Sequence, residues 1–562
     1  MPEGGPKTEK VAPTSRSFAW TALMFAVLTA ACLLPFIDRA FHIDDPLFLR
    51  MAEQILHDPW HPYDFEYNWD LRPRPAWEIV LNPPANSYLQ AGIIRTLGKD
   101  ERTLHLVYLC LACGCAALVY SISSRFCEHP STATLLTITS PVLLVSATSV
   151  MADIPLLLCW LLCTRLAVHY ADTSRPWALW GACLAACAAA MTKYFGFALV
   201  PLIAVYCLPR RHRSSGHLLA LGVPILVLVA WGVYTDAQGD LFHPLDAGRF
   251  AVGQRGAMDV VRNAAQSVTY FGACLFWPIL LLPWTLRIGW RWLVAVLLLA
   301  ICATAIDGYR IVAEEDSRGW EVFCIAEVGL ATLAGAALLA VAAIAWRERP
   351  DSESALLGLW LFGTMFFIAF LNWTVNARVM LLCVFPAALL AVRWLESRPD
   401  STKSLRWSRG AAMATCCIAL AVALADQQFA DANREFAQVT AKRHLDRGER
   451  MWFAGHWGLQ YYLEEVGARP INFRNQIVHN GDLIVYPAFN SQVRILELPY
   501  AHEPTVIIKN KYWFHTISPF ARAGFYVSEV ASLPFNVGES RSAEFATVRV
   551  VEAAERNKRE RP

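Results

Sequence analysis

Runs of apolar residues about as long as a bilayer is thick recur down the chain as far as residue 425 and then stop. Lipid offers no partner for an unpaired N–H or C=O, so each run must cross as a helix of roughly 20 residues. Candidate spans fall near 17–36, 104–124, 132–150, 154–170, 176–192, 194–208, 217–234, 268–286, 290–306, 321–345, 354–372, 378–395 and 409–425, about thirteen by that length criterion. Only 17% of the 562 residues are charged, against roughly 25% in soluble proteins, which excludes a purely soluble enzyme. The net charge of +2 gives no bulk argument for nucleic acid or an acidic polymer. The 16 cysteines run from Cys32 to Cys417, nearly all inside apolar runs. They read as small buried hydrophobes, the Cys110/Cys113 pair included, because no second ligand pair follows.

The expected fold class is a polytopic α-helical membrane protein of about thirteen transmembrane helices with a C-terminal α/β extracytoplasmic domain. Residues 1–16 would be a cytoplasmic tail, 17–425 the membrane domain including an outer loop 37–103, and 426–562 the soluble domain. Orientation follows the Lys/Arg bias of short loops. With Lys7, Lys10 and Arg16 inside, Arg125, Arg165, Arg175, Arg210, Arg211, Arg213, Arg287, Arg291, Arg347, Arg349 and the stretch Arg398–Arg409 fall on the same side of a cell inner (plasma) membrane. An odd number of spans puts the C-terminus outside. A cleaved signal peptide also has charges before an apolar run, but this run is long and Cys32 lacks a lipoprotein box's leucine, so the span is read as retained. In the tail, strands are expected at Met451–Ala454, Leu483–Tyr486, Thr505–Ile508, Phe525–Val530 and Ala546–Val551.

The outer face concentrates the informative residues. "FHIDDPLFLRMAEQIL" follows the first span. Asp44 and Asp45 begin an amphipathic helix whose Leu47, Met51 and Ile55 would lie on the membrane side. An N-cap explains one carboxylate; two adjacent ones at the rim of hydrocarbon call for a task or a partner. Asp153 opens the fourth span on the same face, and Lys193, with Tyr194 beside it, stands between the fifth and sixth.

These elements resemble glycosyltransferase family 39, the polyprenyl-phosphate-sugar-dependent GT-C group that contains protein O-mannosyltransferases and the lipid A aminoarabinose transferase. Asp44-Asp45 takes the place of the family's Asp-Glu, with Asp for Glu, and Phe48 stands where an aromatic is usual. "NPPANSYL" (Asn82–Leu89) is similar to the family's His/Asn-Pro-Pro element that begins a second juxtamembrane helix, and "ADIPL" (Ala152–Leu156) to its Thr-Asp-Ala-Pro-Leu. The likeness covers roughly the first 210 residues closely, and the rest by span number and an outer C-terminal domain.

The resemblance implies an integral-membrane glycosyltransferase that moves a sugar from a polyprenyl-phosphate donor to a lipid, glycan or protein acceptor, with inversion. Such a reaction needs a carboxylate near the acceptor hydroxyl, the role expected of Asp44, with Asp45 and Asp153 as the other catalytic acids. The leaving phosphate needs positive groups, for which Lys193 and then Arg378 in "NWTVNARVML" are the candidates. Were the acceptor a phosphate, Asp44 would act by orientation only. Asp44 and Asp153 could share Mg²⁺ or Mn²⁺; the residues leave that open. Arg72, Arg74 and Glu78 are further substrate-binding candidates, set against the reading of a solvated loop. Glu327 would lie roughly 9 Å into its span at 1.5 Å per residue, facing the cavity. His456 and Trp457 sit in a strand-to-helix turn and read first as a helix start, and Trp69 or Trp77 could stack on carbohydrate. The competing readings are a secondary transporter, against which the lack of repeats and the rim-clustered charge count, and a non-catalytic assembly protein.

Overall fold

The computed structural model describes residues 15–207, 215–239, 242–253, 256–313, 321–474, 478–490, 493–527, 531–538 and 541–551. Lys7, Lys10, the basic cluster at 210–213 and the acids Glu314, Glu315 and Asp316 fall outside these residues. The apolar runs are helices. Among the described residues, Arg16–Phe36, Glu101–Phe126, Asp153–Thr173, Ala220–Gly239, Trp290–Asp307, Val322–Glu348, Ser352–Leu371, Ala377–Glu396 and Ser401–Asp446 are long and apolar enough to cross a bilayer. Pro176–Thr192 and Tyr194–Cys207 are shorter apolar helices. The chain is a polytopic helical membrane protein.

Two expected spans are broken. Residues 132–150 form the short helices Pro130–Ile138 and Pro141–Ser146 and then a turn that leads to Asp153. Irregular backbone at membrane depth persists only where protein surrounds it, and residues 140–153 are buried throughout. In 268–286, the helix Ala257–Leu275 gives way to the turns Trp277–Leu280 and Leu282–Thr285, each with a proline in its first turn. Small residues let helices touch: a side chain on Gly272 would strike the Ala331 carbonyl across the interface with Glu321–Glu348.

The first loop builds a small core of its own. Leu47, Met51 and Ile55 of the helix Asp45–His57 pack with Tyr63, Tyr67, Ala76, Val80 and Ala91. This corrects the expectation that they face lipid; the loop is long enough to cover the helix's apolar side with protein. The second juxtamembrane helix is Ala85–Leu97.

The helix Ser401–Glu435 runs past residue 425 and continues through Phe436–Ala441 and Lys442–Asp446. Asp426 ends the apolar run without ending the helix, because its charge is met inside the fold by Arg39 at 2.6 Å. Beyond it lies an α/β unit. Its sheet has the order Arg469–Pro470, Met451–Phe453, Leu483–Pro487, Arg541–Val550, Tyr500–His502, with Val506–Lys509 also on Arg541–Val550. Met451–Phe453 is parallel to both neighbours, and the helix Trp457–Glu465 makes the crossover to Arg469–Pro470. The strand expected at 525–530 is absent from its described part, 525–527. Phe525 and Tyr526 are apolar because they plug the membrane domain: the Phe525 carbonyl accepts the Ala377 N–H at 2.8 Å, and the Tyr526 hydroxyl donates to Asp426 at 2.8 Å.

Candidate active site

A cavity of about 1220 Å³ lies between the membrane helices, the first loop and the tail, with Asp44, Asp153, Lys193, Tyr194 and Arg378 in its wall. Each is placed by a helix end. Asp44 caps the helix Asp45–His57; Asp153 starts its span; Lys193 follows Pro176–Thr192 in extended backbone. Arg378 sits in the first turn of Ala377–Glu396, where the Asn376 side chain accepts the Val379 N–H and the tail's Phe525 carbonyl satisfies Ala377. A π-helical turn, Phe367–Leu371, delivers Asn372, Trp373 and Thr374 to the same wall.

The four charged groups form one chain. Arg378 donates from Nη1 to Asp44 Oδ2 at 2.8 Å and from Nε to Asp153 Oδ2 at 2.8 Å, while Lys193 Nζ donates to Asp153 Oδ1 at 2.5 Å. Two cations and two anions sum to zero, so burial leaves no uncompensated charge. The acids differ in access: the Asp44 side chain is 26% exposed and that of Asp153 3%. Of the two, Asp44 is the more open to the cavity.

Asp45 is elsewhere. It is fully buried and does not line the cavity, and its oxygens accept the N–H groups of His42 at 2.9 Å and Val150 at 3.0 Å. Burial pushes its carboxyl up to about 7 against the pull of Arg39. The Val150 carbonyl in turn accepts from Asn86 at 3.2 Å and Gln90 at 2.8 Å. Val150, three residues before Asp153, is thus held on both sides, by Asp45 and by the helix that "NPPANSYL" begins. Asp45 therefore sits behind the cavity wall, with both carboxyl oxygens taken by backbone N–H groups.

The remaining expected residues separate. Arg72 is exposed and outside the cavity wall. Arg74 spends its charge within the loop, on Asp70 at 3.3 Å and Glu78 at 3.8 Å, so neither Arg74 nor Glu78 reaches the cavity. Glu327 lies beside Asn536 of the tail, away from the cavity; depth along a helix does not fix the direction a side chain takes. One oxygen of Asp44 and one of Asp153 both accept from the Arg378 guanidinium. Among the described residues no three His, Cys, Asp or Glu side chains come together.

One element escaped the sequence reading. Tyr194 donates to His243 Nδ1 at 2.6 Å, His243 Nε2–H donates to the Val80 carbonyl at 2.8 Å, and Trp231 Nε1–H donates to the Tyr194 hydroxyl at 3.0 Å. Burial holds this imidazole below its usual pKa, which keeps it neutral and able to accept at Nδ1. The relay ties the first loop to the residue beside Lys193. Its only sequence signal is a histidine before a proline at a helix start.

Among solved structures, the chain is similar to an oligosaccharyltransferase from Archaeoglobus fulgidus, at 12% identity over 82% of this chain and 67% of that one, TM-score 0.46. It is similar to ArnT from Cupriavidus metallidurans bound to undecaprenyl phosphate, at 14% over 84% and 94%, TM-score 0.39. It is also similar to the arabinosyltransferase EmbB from Mycobacterium smegmatis, at 17% over 75% and 42%, TM-score 0.34. No curated protein matches the chain. Residues 82–234 match the model of the family described as dolichyl-phosphate-mannose-protein mannosyltransferase. That stretch holds Asn82–Leu89, Asp153 and Lys193.

Proposed function

We propose that the chain transfers a sugar from a polyprenyl-phosphate sugar to a hydroxyl-bearing lipid, glycan or protein acceptor on the outer face of the membrane, with inversion at the anomeric carbon. The observation that carries this reading is the run Asp44–Arg378–Asp153–Lys193 on the wall of one cavity, and the family match over 82–234 supports it.

The chemistry balances in charge. Asp44 takes the acceptor O–H proton as that oxygen attacks the anomeric carbon, and the carbon–oxygen bond to phosphate breaks with its electron pair leaving on the phosphate. A phosphodiester carrying one negative charge becomes a monoester carrying two, while Asp44 becomes neutral. The site's net charge therefore stays constant through the step. Neutral Asp44 also releases Arg378, which turns to the new phosphate charge together with Lys193. Asp153 remains fixed between the two cations and sets their spacing.

The test supplies radiolabelled polyprenyl-phosphate sugar to membranes containing wild-type or Asp44→Asn protein and follows product by mass spectrometry. Loss of turnover in the variant with normal protein level is expected. Unchanged turnover overturns the assignment of the base.

A further inference from the structure

The tail supplies a second wall of the same cavity, through Trp457, Phe489 and Asn490 among others. Trp457 has φ of +64° and Ile43, next to Asp44, has φ of +49°. Left-handed backbone is unfavourable for a β-branched or bulky residue and persists only where its surroundings over-determine it. Both residues line the cavity, one from each half of the molecule. The two segments that carry them lie close together, since a side chain on Gly458 would strike the Phe41 carbonyl. Asn490 pins the turn: its Nδ2 donates to the His456 carbonyl at 3.0 Å and its Oδ1 accepts the His456 N–H at 3.4 Å.

Trp69 of the first loop also lines the cavity and lies over the His456 ring, centroids 4.1 Å apart at 32°. His456 is 1% exposed, and burial pushes its pKa down to about 3, so the column is uncharged. The cavity exceeds the roughly 300–1,000 Å³ of a single small-ligand pocket, which leaves room for a second substrate beside the donor. An extended peptide would want a free strand edge. The strand leading into this wall, Leu483–Pro487, is paired on both sides, with Met451–Phe453 and Arg541–Val550. What the wall offers is the partly open Trp69 ring, the 6% of Trp457 left exposed, and one side-chain amide. A pyranose matches it: one face is apolar C–H, polarised positive toward the negative face of an aromatic ring, and the rim is hydroxyl.

We infer that Trp457 and Trp69 form an acceptor subsite for a pyranose ring, which makes the acceptor a glycan or a glycolipid headgroup. This deepens the transferase reading and rests on it.

The test uses the full chain in phosphatidylcholine nanodiscs and saturation-transfer NMR with methyl gluco-, galacto- and mannopyranoside, and with sorbitol as the acyclic control. At least one pyranoside should saturate through its C–H face and sorbitol should not. The signal should fall about five- to tenfold in Trp457→Gly and in Trp69→Ala and survive in Trp457→Phe, which keeps a ring. Glycine adopts the left-handed backbone without strain, and a thermal melt confirms that each variant is folded. A glycosyl-diacylglycerol in the nanodisc that competes for the signal assigns the ring to a lipid headgroup; the absence of competition assigns it to a free glycan, and both keep the subsite. Equal signals from sorbitol and pyranosides, or signals unchanged in both tryptophan variants, overturn it. Undecaprenyl phosphate binding is measured alongside. Trp457→Gly should leave it intact and Arg378→Met should abolish it; retention in Arg378→Met defeats the transferase reading whatever the pyranosides do.

Discussion

Two arginines bridge acids inside this molecule, and their surroundings give them different work. Arg39 and Asp426 are both fully buried, 2.6 Å apart. Thr148 takes two bonds from Arg39, and the tail's Thr516 and Tyr526 donate to Asp426. Arg378 and its two acids use the same chemistry at the cavity wall, where Asp44 keeps 26% of its side chain open. The first cluster is a lock between membrane domain and tail, closed by buried hydroxyls. Among the described residues, the second is closed by its own ions at the cavity wall. Partner type and access distinguish an ionic lock from an ionic site; the identity of the residues does not.

The widest separation comes from substituting one acid in each cluster. Asp44→Asn should lower transfer by about 10²–10⁴-fold and leave the melting temperature near wild type, measured on labelled product and by calorimetry. Asp426→Ala should do the opposite, costing about 3–5 kcal/mol of stability because it leaves Arg39 charged and unpaired. The pair Arg39→Met with Asp426→Leu should recover most of that loss. If the double variant is as unstable as the single, Asp426 is not a lock of this kind. Lys193→Met belongs with the first cluster, with turnover down about 10²-fold and the melt little changed; a lost fold would move Lys193 to the structural side.

The same contrast explains what was legible in the sequence. Asp44, Asp153, Lys193 and Arg378 stand out because each interrupts or borders an apolar run, where charge needs a reason, and because Asp44 and Asp153 fall in the stretches that carry the family resemblance. The lock was illegible: Asp426 looked like the end of a helix, since only the folded chain brings Arg39 to it. Arg74 and Glu78 looked available because their ion pairs with each other and Asp70 depend on a hairpin of Glu66–Asn68 and Pro73–Pro75. Asp45 looked like the twin of Asp44, yet one residue along a helix start turns a side chain from cavity to core. Trp457 gave no signal beyond its place in a turn, because backbone strain is a property of long-range packing.

Asp45 sharpens the comparison through pH. Its carboxyl is raised by burial from 3.8 to about 7, so the protonated form is the one the fold prefers. The stability this contributes is complete below the unfolded value and is lost as pH rises through about 7. Wild-type protein should therefore melt lower at pH 8 than at pH 5. Asp45→Asn should cost about 1–3 kcal/mol at pH 5, since an amide oxygen can accept only one of the two N–H groups, and the gap should narrow by pH 8 as the wild type alone declines. A constant gap across that range rules out Asp45 as the titrating group.

The smallest expected effect isolates strain from ring. Trp457→Gly and Trp457→Ala both delete the indole, so cavity and stacking losses cancel between them. They differ in that alanine must still hold φ at +64° while glycine does so freely. Glycine should be the more stable of the two by about 1 kcal/mol, the reverse of their usual order in a helix. Equal melting temperatures would mean that the turn relaxes once the ring is gone. The indole itself would then be what presses the tail against the segment that carries Asp44, in contrast to Arg39 and Asp426, which hold the two halves together and do not line the cavity.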